Sequence, residues 1–461
     1  MLARISHQPP AGAPRHLATV SGEKRGLDRV ARSLLALGLV VGAASSLLAR
    51  PPNVVLIIGD DMAWSDFGFM GHEKIDTPNL DRLAARSLVF PRGYVTASLC
   101  CPSLATIITG LYPYQHRITG NEPPAPPGLR GKAVYRDPGY QAECVKMDDS
   151  IENVPTLPRL LGKKGYVSHQ SGKWWHGSHR RGGFTHGMTH GDPDRGGRHG
   201  DEGLKIGRRG LEPIFRFIEE AGGRPFFVWY APFLPHTPHN PPERLLAKYR
   251  SRTESLPMAK YWAMCEWFDE TCGELLGYLD RKGLAGDTLV VYVTDNGWIN
   301  RRNASRYAPK SKRSPYDGGV RTPILLRWPG RVKPRKDSTP VSSVDLAPTI
   351  LAACGLEPTR EMRGIDLLDE AAMKKRDAVF GAIYLHNARD IHRPEKNLMY
   401  RWCVAGRFKL IAPDGVNVEG RGPELYDIVD DPHETRNLAE SQRERVRALT
   451  GRLDGWWRPG S

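Results

Sequence analysis

Two apolar, β-rich runs far apart in the chain each end in an acidic pair. Asn53-Val54-Val55-Leu56-Ile57-Ile58-Gly59 closes on Asp60 and Asp61; Thr288-Leu289-Val290-Val291-Tyr292-Val293-Thr294 closes on Asp295 and Asn296. Short unbroken apolar runs suit strands buried on both faces, as in a parallel sheet covered by helices. In such sheets ligands collect beyond the carboxyl ends of the strands. Both acidic pairs fall there, and hard oxygen donors in that position suit Ca²⁺ or Mg²⁺.

The rest of the pattern agrees. Strands are expected over 53–58, 165–169, 225–230, 288–294 and 322–327, and helices over 78–87, 103–109, 154–163, 210–221, 256–282 and 345–354. This alternation predicts an α/β fold with a mainly parallel sheet and helices on both faces. Residues 177–209, crowded with Gly, Arg and His and lacking an apolar period, predict a long loop. After about residue 375 the texture changes. Short strands are expected near 379–385, 399–404 and 407–411, then a helix over 438–457 with Val446, Leu449, Leu453 and Trp456 on one face. The expected division is a leader over 1–49, a main domain over 52–374, and a small C-terminal α+β subdomain of antiparallel sheet and helix over 375–461.

Charge narrows the class of partner. The 461 residues carry a net charge of +15. Six basic and two acidic residues lie in 1–49, so removing that +4 leaves +11. A positive surface favours anionic partners, but no zinc finger, basic zipper or RNP-like motif is present and nucleic acid is not expected. The apolar stretch 33–49 follows Arg29 and Arg32 and offers Gly42, Ala43 and Ala44 for cleavage, which fits a secretory h-region. Export to the periplasm or the exterior is expected, with an uncleaved N-terminal anchor as the alternative. No later run approaches spanning length, so no membrane span is expected in the mature body. The seven cysteines make no disulfide scaffold. Cys265 and Cys272 sit on one expected helix, where a rise of about 1.5 Å per residue places them too far apart to bridge.

Between the acidic pairs lies Leu99-Cys100-Cys101-Pro102-Ser103. Pro102 suits a first helical turn, which puts Cys100 at a helix N-terminus where an anion is favoured. Alone, this motif reads as a buried structural cysteine, Asp60–Asp61 as loop caps, and Asp295-Asn296-Gly297 as a tight turn. Their joint occurrence at strand ends points instead to one site. A thiolate is a poor companion for a hard cation, so Cys100 would act there as an oxygen species, a modified residue. Lys173 follows one expected strand, with His176 just beyond. His236 sits between Pro235 and Pro238 after another, and Lys312 precedes Tyr316-Asp317-Gly318-Gly319. A lone lysine reads as solvated and a lone histidine as part of a turn. Delivered together beside two acidic pairs, these groups make an oxyanion pocket around a metal.

With those residues in view, the chain resembles the type I, formylglycine-dependent sulfatases of the alkaline-phosphatase-like superfamily. The matching pieces are Asn53–Asp61, Thr77-Pro78-Asn79-Leu80-Asp81-Arg82-Leu83-Ala84, Cys100-Cys101-Pro102-Ser103, Gly172-Lys173-Trp174, Pro235-His236-Thr237-Pro238, Thr294-Asp295-Asn296-Gly297 and Lys312 with Tyr316-Asp317-Gly318-Gly319. The tail Glu424-Leu425-Tyr426-Asp427 and Asp431-Pro432-His433-Glu434 resembles that family's C-terminal part. The resemblance implies that a maturation enzyme converts Cys100 to formylglycine, whose hydrated aldehyde attacks sulfur. It also implies that Asp60, Asp61, Asp295 and Asn296 hold Ca²⁺, with Mg²⁺ as the alternative, shared with the modified Cys100. Lys173 would steady the nucleophile, and His236 and Lys312 would contact the sulfate and protonate the leaving oxygen. The expected substrate is a sulfated small molecule or glycan, and the arginines at 180, 181, 195, 198, 208 and 209 read either as subsites for a polyanion or, equally, as a solvated charged loop.

Two positions depart from the family pattern. Leu104 replaces the Arg that follows Cys-x-Pro-Ser, and Lys173-Trp174-Trp175-His176 carries one tryptophan more than Lys-Trp-His, which shifts His176. Two rival readings follow: a phosphodiesterase or phosphonate monoester hydrolase of the same superfamily, or a catalytically inactive protein that binds sulfated glycans.

Overall fold

The computed structural model describes residues 51–191 and 197–460; the expected leader over 1–49 and Arg195 lie outside the described residues. The main sheet takes β1 (Asn53–Gly59), β2 (Leu88–Tyr94), β3 (Val167–Gly172), β4 (His186–Gly187), β5 (Phe226–Ala231) and β6 (Thr288–Thr294). A small hairpin, β7 (Asn300–Arg301) and β8 (Ala304–Tyr307), stands apart from it, and β9 (Arg321–Arg327), β10 (Arg335–Lys336) and β11 (Val341–Ser342) complete the sheet. Its order is β10-β2-β9-β6-β1-β5-β3-β4, with β11 also on β2. Pairing is parallel throughout the half that carries the acidic pairs. Only β9 reverses, running antiparallel to both β6 and β2.

Every residue of β1, β5 and β6 is buried. Successive side chains of a strand point to opposite faces, and here the two faces feed two cores. Val54, Leu56 and Ile58 join Leu289, Val291 and Val293 under the helices Cys100–Thr109 and Leu346–Ala353. Val55 and Ile57 join Val290 and Tyr292 under the long helix Leu256–Arg281. This is why the strands read as unbroken apolar runs rather than alternating ones.

Register sets up the site. In the β1–β6 ladder Gly59 is level with Thr294, so Asp60 and Asp295 leave the sheet side by side. The Asp295 N–H donates to the Gly59 carbonyl at 2.9 Å, which carries the ladder one step past the strand ends.

A second sheet, antiparallel and in chain order, comprises β12 (Val379–Tyr384), β13 (Leu398–Ala405), β14 (Phe408–Pro413) and β15 (Glu424–Asp427). One of its faces receives Leu449, Leu453 and Trp456 of the helix Arg443–Trp456. Its other face, with Val379, Ile383, Trp402, Val404 and Ile411, is part of the same core as Val54 and Leu56.

The structure also differs from expectation. β2 contains Pro91 and bulges between Phe90 and Gly93, so no regular apolar run marks it. The helices Pro138–Asp149 and Glu243–Arg250 are not among those expected; the first buries a narrow stripe of Tyr140, Cys144, Met147 and Asp148, too mixed in polarity to stand out as an apolar period. Residues 177–209 hold β4 and short 3₁₀ turns at His179–Gly182, Gly197–His199 and Asp201–Lys205. All seven cysteines are unpaired.

Candidate active site

Six chain segments converge beyond the carboxyl ends of the central strands. β1 delivers Asp60 and Asp61, β6 delivers Asp295 and Asn296, and β3 delivers Lys173. Cys100 opens its helix after the extended residue Leu99. Gly172 makes the β3 exit possible: its φ is +87°, and a Cβ there would lie 1.8 Å from the Ala231 carbonyl oxygen. Gly297 does the same after Asn296, since a Cβ would meet the Gly318 oxygen at 2.2 Å. That contact brings the 310–319 segment, and Lys312 with it, against the end of β6.

The floor of the site is a closed web of charge. Lys173 Nζ donates to Asp60 Oδ1 at 2.8 Å and to Cys100 Sγ at 3.1 Å, with Asp295 Oδ2 at 3.7 Å. Lys312 Nζ donates to Asp61 Oδ1 at 2.6 Å and lies 3.3 Å from Cys100 Sγ. Asn296 Nδ2 donates to Asp61 Oδ1 at 2.6 Å, and its Oδ1 is 3.5 Å from Cys100 Sγ. Asp295 Oδ1 accepts from the Asp61 N–H at 3.1 Å. His236 Nε2 faces Asp61 Oδ2 at 3.4 Å, while its Nδ1 sits 2.6 Å from the Thr237 carbonyl. A carbonyl opposite Nδ1 calls for the proton on Nδ1. Neutral His236 therefore turns an unprotonated Nε2 toward a carboxylate.

This arrangement fits a divalent cation. Ligand atoms of Asp60, Asp61, Cys100 and His236 lie within 4.8 Å of one another, and Asp295 adjoins them. Asp60 Oδ2 and Asp295 Oδ2 are buried without a hydrogen-bond partner, an expensive state for a carboxylate unless a cation meets it. Burial holds the Asp60 and Asp295 carboxyls above their ordinary range despite Lys173. Burial acts on Asp61 too, but Lys312, His236 and Lys173 outweigh it and hold that carboxyl well below. Burial and Lys173 keep His236 neutral. The Cys100 thiol is pushed up to about 12 by burial, against both lysines. An unmodified Cys100 is thus no thiolate near neutral pH, and a nucleophile at that position needs other chemistry.

Above this floor opens a cavity of about 480 Å³ lined by Cys100, Lys173, His236 and Lys312. His176 is not in its lining. Trp175 adopts φ 73° and takes the wall position, while His176 packs edge-on against Trp174 at 4.9 Å with neither ring nitrogen hydrogen-bonded. The extra tryptophan has turned the histidine inward, and the expectation for His176 is corrected accordingly.

Of the arginines expected as subsites, none of the described ones is in the lining either. Arg198 is partly buried, donating to Asp148 Oδ1 at 2.8 Å and to the Asn121 carbonyl at 2.6 Å; Asn121 Oδ1 in turn accepts the Cys101 N–H at 3.0 Å. Arg181 pairs with Asp149 and Glu152, and Arg208 bonds the Phe233 and His236 carbonyls. Leu104 is buried in the core beside Ile107 and Ile108. The walls come instead from Trp175 and from residues that no motif flagged, Glu122, His199, Phe233, Trp298 and Arg306 among them. They stand on loops, a short 3₁₀ turn and a short hairpin, where periodicity carries no signal.

A doubly covered α/β sheet with acidic strand ends, two buried lysines and a nucleophile position at a helix N-terminus defines an alkaline-phosphatase-like hydrolase. Solved structures agree on the fold. A protein in complex with its substrate D-glucosamine-2-N,6-O-disulfate superposes with a TM-score of 0.68 at 20% identity, over 88% of this chain and 97% of that one. A phosphonate monoester hydrolase of Agrobacterium radiobacter gives a TM-score of 0.64 at 18% identity, over 88% and 95%. Residues 52–356 match the sulfatase family model, and 307–454 match the N-sulphoglucosamine sulphohydrolase C-terminal model. The chain is 30% identical to N-acetylgalactosamine-6-sulfatase of Sus scrofa over 375 residues, 69% of this chain and 66% of that relative, so it spans about two thirds of the relative's length. The chain belongs to the sulfatase family, a family of sulfuric ester hydrolases.

Proposed function

We propose that this protein hydrolyses the sulfate monoester of a glycan, with formylglycine formed from Cys100 as nucleophile and a divalent cation held by Asp60, Asp61, Asp295 and Asn296. The observation that carries the reading is the charge web. Three buried carboxylates and two buried ammonium groups meet at one cysteine. They sum to one negative charge, which a divalent cation turns into one positive charge, matched to a sulfate monoester. When present, the modified residue and the cation supply an oxygen nucleophile and withdraw charge from a sulfate oxygen.

The chain's own residues do the rest. Lys173 holds the side chain of residue 100 against Asp60 and orients it. Asn296 fixes Asp61 and touches the same side chain from the other side. Lys312 carries a proton 3.3 Å from the nucleophile position, shielded from solvent. Because His236 Nδ1–H is committed to the Thr237 carbonyl, Lys312 Nζ is the better source of a proton for the leaving oxygen. His236 would offer its Nε2 lone pair to the cation beside Asp61, with Phe233 stacked on its ring at 4.4 Å. Trp175, Phe233 and Trp298 offer aromatic faces of the kind sugars stack on.

The same reading places the catalytic domain over 52–374, the C-terminal subdomain over 375–461 and an export leader over 1–49. It requires a formylglycine-generating partner, and Ca²⁺ as the cation with Mg²⁺ as the alternative.

Two measurements test it. Mass spectrometry of the tryptic peptide Gly93–Arg117 from the native host should find aldehyde at position 100; thiol alone would remove the nucleophile. Aryl sulfate should be turned over in preference to aryl phosphate, and the reverse preference would favour the phosphonate hydrolase reading.

A further inference from the structure

The charged groups on the cavity floor pair with one another, but those at its mouth do not. Arg306 and Arg313 both line the cavity and are exposed. Among the described residues no carboxylate forms an ion pair with either, whereas Arg181, Arg198 and Arg244 all have acidic partners. The one acidic side chain in the lining is Glu122, and it is already engaged by Tyr140 Oη at 2.8 Å and His199 Nε2 at 3.2 Å. The mouth therefore carries two unneutralised guanidinium groups.

Their placement is built. Arg313 adopts φ 67°, a conformation that costs a non-glycine residue energy. It is held there by its N–H, which meets the Ser98 carbonyl and the Ser98 hydroxyl, each at 2.9 Å. The kink sends consecutive side chains to opposite ends of one cavity: Lys312 to the buried floor against Asp61, Arg313 to the open rim. Arg313 Nη1 is further placed 3.4 Å from Tyr307 Oη. Tyr307 closes the hairpin strand β8, which also carries Arg306. His386 lines the same mouth.

We propose that Arg306 and Arg313 form a second anion subsite that binds a carboxylate or a further sulfate on the substrate, beyond the ester being cleaved. The inference rests on the sulfatase reading above and adds to it the substrate class: a sulfated glycan bearing at least two anionic groups. A planar guanidinium pair suits both a uronate carboxylate and a sulfate, since both present paired oxygens.

The test uses the matured full chain and three probes: an aryl sulfate with no charge beyond the ester itself, a uronate-containing disaccharide with one sulfate ester, and a disaccharide of neutral sugars bearing two sulfates. Arg306→Gln, Arg313→Gln and the double variant are compared with the parent protein. The ratio of kcat/KM for an anionic disaccharide to that for the aryl ester should fall about tenfold in each single variant and further in the double, through KM rather than kcat. A fall confined to the uronate probe assigns the subsite to carboxylate; a fall confined to the disulfated probe assigns it to sulfate. A ratio unchanged within twofold for both probes overturns the subsite. Calorimetric binding of the same disaccharides separates this result from failure of the hydrolase reading. Affinity lost in the double variant supports the subsite even without turnover, and affinity retained in the double variant refutes it.

Discussion

Lys312 shows how much one side chain can carry. Its ammonium group is almost fully buried, bonds both oxygens of Asp61 at 2.6 and 2.9 Å, and reaches the nucleophile position. Lys312→Met removes the proposed proton donor and the positive charge nearest the reacting centre. By comparison with the loss of one oxyanion donor, kcat/KM should drop about 10²–10³-fold, measured on aryl sulfate with folding checked by circular dichroism. A loss below about tenfold would move the proton donor elsewhere. His169 gives a prediction of the opposite kind, about stability. Burial, with His186 and His179 nearby, lowers its pKa from 6.5 to about 3. Between those values the unfolded chain binds the proton and the folded chain does not, so stability falls as pH drops below 6.5 and is fully present above it. Urea unfolding at pH 7 and pH 5 should show His169→Leu escaping about 2 kcal/mol of the acid destabilisation, at about 1.4 kcal/mol per pH unit. Equal pH slopes in both proteins would exclude the histidine as the source.

At the scale of elements, the strand exits decide whether these side chains meet. Gly172→Ala would force a Cβ onto the Ala231 carbonyl at a φ of +87°, and β3 with its lysine would have to shift. A destabilisation of at least about 2–3 kcal/mol is expected, together with lost activity; a variant unfolding at the parent urea midpoint would show that the exit is soft. Elements of this kind are largely legible in the amino-acid sequence. β1, β5 and β6 are buried on both faces and so spell themselves as apolar runs, and the acidic pairs mark where they stop. β2 is not legible: Pro91 and its bulge break the run, and only pairing with its neighbours, β9 above all, holds the strand in place. The floor of the site can likewise be read from sequence, because strand ends in such a sheet converge by topology. Its walls cannot. Glu122 and His199 reach the cavity from outside the sheets and Arg306 from the short hairpin β7–β8, where paths are set by individual contacts such as Arg313 on Ser98. His176 misleads for a related reason: one inserted tryptophan in a left-handed conformation reverses which side chain faces the cavity.

On the scale of the whole molecule, the C-terminal sheet is tied to the active-site loop by a buried charge cluster. Lys409 on β14 is fully buried and bonds Asp317 Oδ1 at 2.8 Å and Glu434 Oε1 at 2.9 Å. Glu434 Oε2 accepts the Asp317 N–H at 2.6 Å, and Lys310 Nζ donates to the Glu434 carbonyl. The cluster thus pins both ends of the segment that carries Lys312. Burial raises the Glu434 carboxyl to about 7 even with Lys409 beside it, so removing the lysine leaves two buried acids with only Arg321, 3.6 Å from Asp317 Oδ2, to offset them. Breaking one partner of such a cluster costs about 3–5 kcal/mol, whereas replacing all members together costs far less. Lys409→Met should therefore lower unfolding stability by about that amount and reduce kcat by loosening Lys312. The triple variant Lys409→Met, Asp317→Asn, Glu434→Gln should recover most of the stability. Because Trp402, Val404 and Ile411 share a core with β1, the loss should appear in one transition, with tryptophan fluorescence and far-ultraviolet circular dichroism coinciding. If Lys409→Met instead produced two separated transitions, the C-terminal sheet would be an independent unit, and its grip on the catalytic loop would have to be discarded.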